Sequence, residues 1–276
     1  MKTYSSPLAC RTFTAMRCDV CGSARYRLRM RTGQYTFVRC AGCGVTYQNP
    51  QPSMDEVRGR YGSNYYDYEI SNERNFFGLM LLGLRDIDFE GLYPHPGRLL
   101  DIGCATGMLL EHMRARGWVT QGVEICRESV RHAREVRGLD VFEGTLEEAS
   151  LPSASFDVVH FLHLLEHVSS PRSLLAEVRR ILVPGGRAVI TTPNIDGFQA
   201  RLFGTQWRSA IADHLYLFSR RSLPPLLQDS GYRIERCVTW GGLAKGTAPG
   251  WLKSPVDRLA KLLGFGDVML YLVRSS

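Results

Sequence analysis

The stretch that most constrains this 276-residue chain is Arg98-Leu-Leu-Asp-Ile-Gly-Cys-Ala-Thr-Gly107. A short apolar run ending in glycine reads as a buried parallel strand, and an amphipathic helix, Met108 to Arg116, follows it. Strand, glycine turn and helix in that order bring backbone amides close to a ligand. The spacing is G-x-x-x-G, not the G-x-G-x-x-G of a pyrophosphate cradle, and the wider turn suits an adenosyl amino acid. A second strand, Val119 to Val123, ends at Glu124, 21 residues beyond Gly103. An acid there would accept both hydroxyls of a ribose.

The alternation continues. A helix over Arg127 to Arg137 leads to a third strand, Leu139 to Glu143, and Gly144-Thr-Leu146 ends it where adenine contacts would lie. Phe156 to Phe161 reads as the fourth strand, with Leu162-His-Leu-Leu-Glu-His-Val168 leaving it. Pro171 opens a helix to Leu182, Pro184-Gly-Gly186 turns the chain, and Arg187 to Thr192 is the fifth strand. Ser219 reads as the N-cap of a helix over Arg220 to Asp229. Gly231 to Trp240 and Asp267 to Val273 are the last two strands, with 243–264 an inserted loop and helix. Strands alternating with helices predict an α/β fold, its parallel sheet covered on both faces.

Before this core lies Cys18-x-x-Cys21-Gly22, followed by Cys40-x-x-Cys43-Gly44. The C-x2-C-x18-C-x2-C spacing falls in the window of a structural zinc site. Two intervening residues let both sulfurs of a pair face one tetrahedral ion, and the following glycines suit knuckles that turn to positive φ. Iron in the same cage and disulfides are the rival readings. All four ligand positions are filled, so the expected ion is structural rather than catalytic. So small a module cannot close a core alone, and the metal should supply much of its folding energy.

Charge follows the same division. Residues 1–50 hold eight Lys/Arg against the single acid Asp19, and residues 51–276 are neutral. Period-2 alternation in Arg25-Tyr-Arg-Leu-Arg-Met-Arg31 predicts four arginines on one strand face, with Tyr26, Leu28 and Met30 on the other. That face is either a solvated ribbon surface or a contact for an anionic partner. Asn49-Pro50 and Gln51-Pro52 read as a hinge, and Gly62 to Tyr66 as a loop with two exposed tyrosines. A helix over 69–93 is either a lid on the cofactor cleft or a packing helix. The expected organisation is a zinc ribbon (1–50), a linker and lid (51–96) and a cofactor-binding domain (97–276).

No secretory signal is visible, and the longest apolar run, Phe76 to Leu84, reaches only about 14 Å as a helix, too short to span a bilayer. The expected compartment is the cytoplasm, where paired cysteines hold metal. With 44% hydrophobic and 22% charged residues, the chain has the profile of a globular protein rather than of a disordered or membrane-spanning one.

Taken together, Asp101-Ile-Gly-Cys-Ala-Thr-Gly107, Glu124, Gly144-Thr-Leu146, Phe156-Asp-Val-Val159, Leu165-Glu-His-Val168 and Pro184-Gly-Gly186 resemble the class I S-adenosylmethionine-dependent methyltransferases, over roughly residues 97–240. Asn49-Pro-Gln-Pro-Ser53, Tyr65-Tyr66, Thr192-Pro-Asn194 and His214-Leu-Tyr-Leu-Phe-Ser219, with the cysteine pairs, resemble a bacterial subgroup of that family. Its methyltransferase part is similar to the ubiquinone-biosynthesis O-methyltransferases. The resemblance implies a Rossmann-like sheet of order 3-2-1-4-5-7-6, its last strand antiparallel. It places Asp101, Gly103, Ala105 and Gly107 around the methionine part of the cofactor, Glu124 on the ribose, Ile125 and Leu146 near adenine, and Leu162 beneath the cofactor. Cys104 departs from relatives that carry Gly or Ala there.

The implied reaction hands an activated methyl group to a positioned nucleophile. A hydroxyl acceptor needs a base, and the candidates are His214 first, in the insertion after strand five, then His163 and His167. Trp207 and Trp240 would wall a pocket or fill the core. The first reading is O-methylation of a small sugar, lipid or secondary metabolite. The second is an RNA methyltransferase docked through the basic ribbon, although the core is neutral and lacks an Asn-Pro-Pro-Tyr motif. A non-catalytic scaffold is the third.

Overall fold

The computed structural model describes residues 16–242, 260–261 and 263–276, so most of the expected 243–264 insertion lies outside the described residues. The core strands are β4 (Arg98–Ile102), β5 (Val119–Glu124), β6 (Val141–Glu143), β7 (Phe156–Leu162), β8 (Leu182–Pro193), β10 (Tyr232–Trp240) and β11 (Val268–Ser275). Successive residues of β4 point to opposite faces, and both faces are buried: Leu99 belongs to one apolar cluster and Leu100 to the other. Helices α4 (Met108–Arg114) and α5 (Arg127–Glu135) cover the first face. Helices α6 (Pro171–Ile181) and α8 (Leu223–Asp229) cover the second.

The sheet order is β10-β11-β8-β7-β4-β5-β6, with β11 antiparallel to both neighbours. This is the expected 3-2-1-4-5-7-6 arrangement. It sets Asp101 of β4 between Gly122 of β5 and His160 of β7, with their carboxyl-terminal ends at one rim. Several boundaries move. β8 begins at Leu182, so Pro184-Gly-Gly186 interrupts a strand rather than preceding one. α8 starts at Leu223 after Ser222, because Ser219 spends its hydroxyl on the amides of Arg221 and Ser222 in the turn before the helix.

A second sheet is built from β1 (Tyr26–Thr32), β2 (Tyr35–Cys40), β3 (Thr46–Gln48) and β9 (Tyr216–Leu217), in that order and wholly antiparallel. Its fourth strand comes from the insertion after β8, which also holds the short helix α7 (Phe198–Phe203), so the cysteine ribbon and the core share one ladder. Tyr47 stacks on Tyr216 with ring centroids 6.2 Å apart. The supposed hinge after β3 is buried instead: Asn49 bonds both backbone groups of Met16, and its peptide bond to Pro50 is cis. Asp19, in the first cysteine knuckle, accepts from the Ser170 hydroxyl and the Arg172 amide at the start of α6.

The alternation of β1 is also broken. A bulge between Leu28 and Met30 pairs Leu28 with Val38 but Met30 with the adjacent Phe37, which flips the later part of the strand to the other face. Met30 then packs on the Phe37 cluster, while Tyr26 and Leu28 stay exposed. Arg27 and Arg39 face each other across the ribbon, and the three arginines of β1, Arg27, Arg29 and Arg31, do not share one face.

The linker holds a short helix, α1 (Met54–Arg58), with a capping box at Ser53 and Glu56, and then α2 (Ser63–Asp86) and α3 (Phe89–Leu92). α2 starts six residues before the expected helix and takes in Tyr65 and Tyr66, which are half-buried rather than looped out. Phe76 to Leu84 lies on this helix, and Leu84 enters the core beside β11 and Trp240. Trp207 and Trp240 are both core residues, with Trp240 donating to Asp86 at 2.6 Å. No helix among the described residues is long and apolar enough to cross a membrane.

Candidate cofactor and transfer site

The glycine turn sits where β4 stops. The amides of Gly103 and Cys104 donate to Val123 O at 2.7 and 3.3 Å, which folds the turn over the tip of β5. Gly107 begins α4 at φ +84°, and a Cβ there would collide with Leu139 Cδ1. Glu124 ends β5 buried, its two oxygens accepting from the Ala105 amide at 2.9 Å and the Cys126 amide at 2.8 Å. Burial pushes its carboxyl up, against the pull of those amides. One carboxylate thus ties the glycine turn to the loop after β5, and half-buried Ile125 lies between its anchors.

Asp101, 1% exposed, receives His160 Nδ1 at 2.7 Å on one oxygen, and its other oxygen has no partner. A buried carboxylate oxygen left bare is costly, so this one fits a ligand's ammonium or hydroxyl group. The glycine turn, the carboxylate at the tip of β5 and this bare oxygen match the donor set an adenosyl amino acid needs. Leu146 is packed in the core after β6, and Leu162, half-buried, closes β7.

α2 lies across this cleft. Glu73 accepts from the Thr106 hydroxyl of the glycine turn at 2.9 Å and from Arg137 at 3.0 Å, and the Tyr66 hydroxyl meets His132 of α5 at 3.0 Å. Tyr61, just before the helix, reaches His167 Nδ1 at 3.3 Å. Sequence reasoning missed these residues. The signal was present in Tyr65, Glu69 and Glu73, which recur every four residues and so mark one polar helix face.

The three expected histidines converge at the ends of β7 and β9. His163 takes a left-handed backbone, φ +52°, held by its amide donating to Thr191 O at 2.8 Å. Such strain at a non-glycine residue gathers at functional sites. Its Nδ1 donates to Glu166 at 2.9 Å, and Glu166 also accepts from Thr192 at 2.9 Å. Burial alone would raise the Glu166 carboxyl, but the His163 bond and the nearby imidazoles outweigh it and hold it at about 2. The His214 Nδ1–H donates to Ser209 O at 2.8 Å, its ring meets His167 edge-on at 4.7 Å, and burial lowers it to about 3. Burial lowers His167 as well. Ligand-capable atoms of Glu166, His167 and His214 lie within 4.8 Å of one another, close enough to share a proton or a divalent ion.

The cysteine pairs close on each other. Cys18 and Cys43 sulfurs are 3.6 Å apart, Cys21 and Cys40 sulfurs 3.4 Å, and all four lie within 4.8 Å. A tetrahedron of arms about 2.3 Å long has edges near 3.8 Å, so one ion fits the cage. Gly22 and Gly44 stand at φ +73° and +75°, as the knuckles require.

Sequence comparison agrees with this geometry. A family described as a methyltransferase domain matches residues 81–236. Ubiquinone biosynthesis O-methyltransferases from Vibrio atlanticus (33% identity over 120 residues, 41% of this chain and 49% of that protein) and Cereibacter sphaeroides (35% over 130 residues, 44% and 53%) are similar to it. The chain spans about half the length of the curated relatives it matches. Solved S-adenosylmethionine-dependent methyltransferases from Thermotoga maritima (TM-score 0.56, 21% identity, 77% of this chain and 98% of that one) and Archaeoglobus fulgidus (0.55, 19%, 75% and 99%) share the fold. The fold is that of the class I S-adenosylmethionine-dependent methyltransferases. The chain belongs to the methyltransferase-domain family, whose pattern runs from within α2 to within β10.

Proposed function

We propose that this chain transfers a methyl group from S-adenosylmethionine to a hydroxyl of a small molecule, a sugar, lipid or secondary metabolite. The observation that carries the cofactor assignment is the pair of buried carboxylates at the glycine turn: Glu124 fixed by two amides, and Asp101 with one oxygen free. The names of the similar O-methyltransferases support an oxygen acceptor.

When bound, S-adenosylmethionine supplies an electrophilic methyl group. Glu124 would accept the ribose hydroxyls while keeping the turn closed. Asp101, braced by His160, would hold the cofactor's amino group with its free oxygen. α2 would cover the cleft and exclude water, which sharpens every charge interaction inside. His163 is better placed as base than His214. Its Nδ1–H is spent on ionised Glu166, which leaves Nε2 as acceptor for the substrate hydroxyl's proton, and its side chain is 26% exposed. His214 is buried, and at about 3 its imidazole is a feeble base; it serves better as a wall of the acceptor pocket. The four-cysteine cage would carry a structural zinc ion.

Labelled-methyl transfer to a panel of hydroxylated acceptors tests this reading. H163N should abolish transfer while keeping cofactor affinity, and H214N should chiefly raise KM. Normal turnover by H163N would overturn the assignment of the base.

A second reading rests on Arg25, Arg27, Arg29 and Arg31, exposed and without an acidic partner among the described residues, which would suit RNA phosphates. Turnover independent of RNA and of salt excludes it.

A further inference from the structure

Tyr65, Glu69 and Glu73 leave α2 on one face. The outer two are fixed at opposite ends of the cleft. Tyr65 packs edge-on against Tyr61 at 4.8 Å, and Tyr61 touches His167. Glu73 is bonded to Thr106 in the glycine turn. Glu69 therefore hangs midway, about 6 Å along the helix axis from each. It is half-buried, and the charges acting on it are Glu124 at the tip of β5 and His163 after β7. The nearby cations are already taken: Arg60 pairs with Asp213, and Arg137 pairs with Glu73 and Glu111.

The cleft thus brings Glu69 into the field of Glu124, with the bare oxygen of Asp101 at its floor and no arginine among the charges acting on Glu69. Carboxylates drawn together out of water repel one another and lose solvation. A ligand that brings its own positive charge relieves both costs. The cofactor proposed above has that property before transfer and loses it afterwards. As the methyl moves to the acceptor oxygen, the S–CH3 bonding pair returns to sulfur, and the sulfonium becomes a neutral thioether.

We propose that Glu69 discriminates the charged cofactor from its demethylated product: its carboxylate, held over the cleft by α2, strengthens binding of the sulfonium and loosens its hold once the positive charge has gone. The inference rests on the cofactor assignment above and gives the lid helix a part in product release as well as in closure.

Titration calorimetry on the full, zinc-loaded chain tests it, with S-adenosylmethionine, S-adenosylhomocysteine and an analogue bearing a protonated amine in place of the sulfonium. The wild type should favour both cationic ligands over the thioether. E69Q, which keeps the side chain's shape, should lose about tenfold in affinity for the cationic pair, the worth of one partly screened charge contact. Its affinity for the thioether should stay within about twofold of wild type. E69A should show the same change in preference. Because the thioether is measured on the same variant, a loosened fold would weaken all three ligands together, and that parallel loss would overturn the inference. So would an unchanged preference. Failure of all three ligands to bind the wild type would sink the cofactor assignment itself, a result distinct from either.

Discussion

Gln48 ends the last strand of the cysteine ribbon, and its side-chain amide donates to Ala212 O at 2.6 Å and His214 O at 3.0 Å. That one amide braces the loop carrying His214. Q48A would leave the buried His214 carbonyl without a donor, while Ala212 O keeps the Arg60 guanidinium at 3.0 Å. For one stranded buried group the loss is about 1–3 kcal/mol. For a chain of this size each kcal/mol lowers the melting temperature by roughly 2–4 °C, so Q48A should melt about 2–12 °C below wild type. Q48E should fare worse, because it buries an acid against three carbonyl oxygens, those of Ile211, Ala212 and His214. Cofactor affinity should not change, since the glycine turn lies on other strands. Scanning calorimetry with a parallel binding titration decides the matter. If Q48A melts within about a degree of wild type, the ribbon does not brace the acceptor loop.

Other consequences follow from single contacts. D19A takes the acceptor from the Ser170 hydroxyl and the Arg172 amide at the start of α6, and with it a dock of the first cysteine knuckle, so it should cost about 1 kcal/mol by denaturant melting and speed zinc release to a colorimetric chelator. G107A places a side chain at φ +84° against Leu139, so it should cost at least about 1–2 kcal/mol and weaken cofactor binding; unchanged affinity would contradict the tight turn. The Glu69 carboxyl is pushed up to about 7, first by burial and then by the Glu124 charge, with Tyr65 and His163 opposing. Between its ordinary 4.5 and about 7 the native state keeps a proton that the unfolded chain has released, so stability falls as pH rises through that window. E69Q cannot ionise. It should therefore gain melting temperature relative to wild type between about pH 4 and pH 8, and parallel curves would refute the shift.

What the sequence reveals and what it hides divide along physical lines. The strand–turn–helix at Arg98 to Arg114 is local, so the turn and the place of Glu124 at the tip of the next strand are readable directly, whereas the strand order follows only from the family resemblance. The four cysteines are readable for the same reason, since ligand spacing is a local constraint. The pairing of β3 with β9 is not, because it joins residues about 170 apart in the chain through backbone groups that carry no sequence code. The bulge that swings Met30 onto Phe37 is invisible in a clean alternation of arginine and apolar residues. Tyr65 and Tyr66 follow Gly62 and Asn64, a loop-like composition that packing against His132 and Tyr61 overrides. The ranking of the histidines depends on their partners. His163 gains a carboxylate and keeps its exposure, His214 loses its solvent, and neither fact is written in their neighbours along the chain.

A crystal structure grown with S-adenosylhomocysteine is the most direct test of the central claim. The adenosyl compound should lie across the Gly103–Gly107 bend beneath α2, its ribose oxygens on Glu124 and its amino group on the free oxygen of Asp101. Density for the compound elsewhere on the molecule, or a cleft holding only water at saturating concentration, would contradict it.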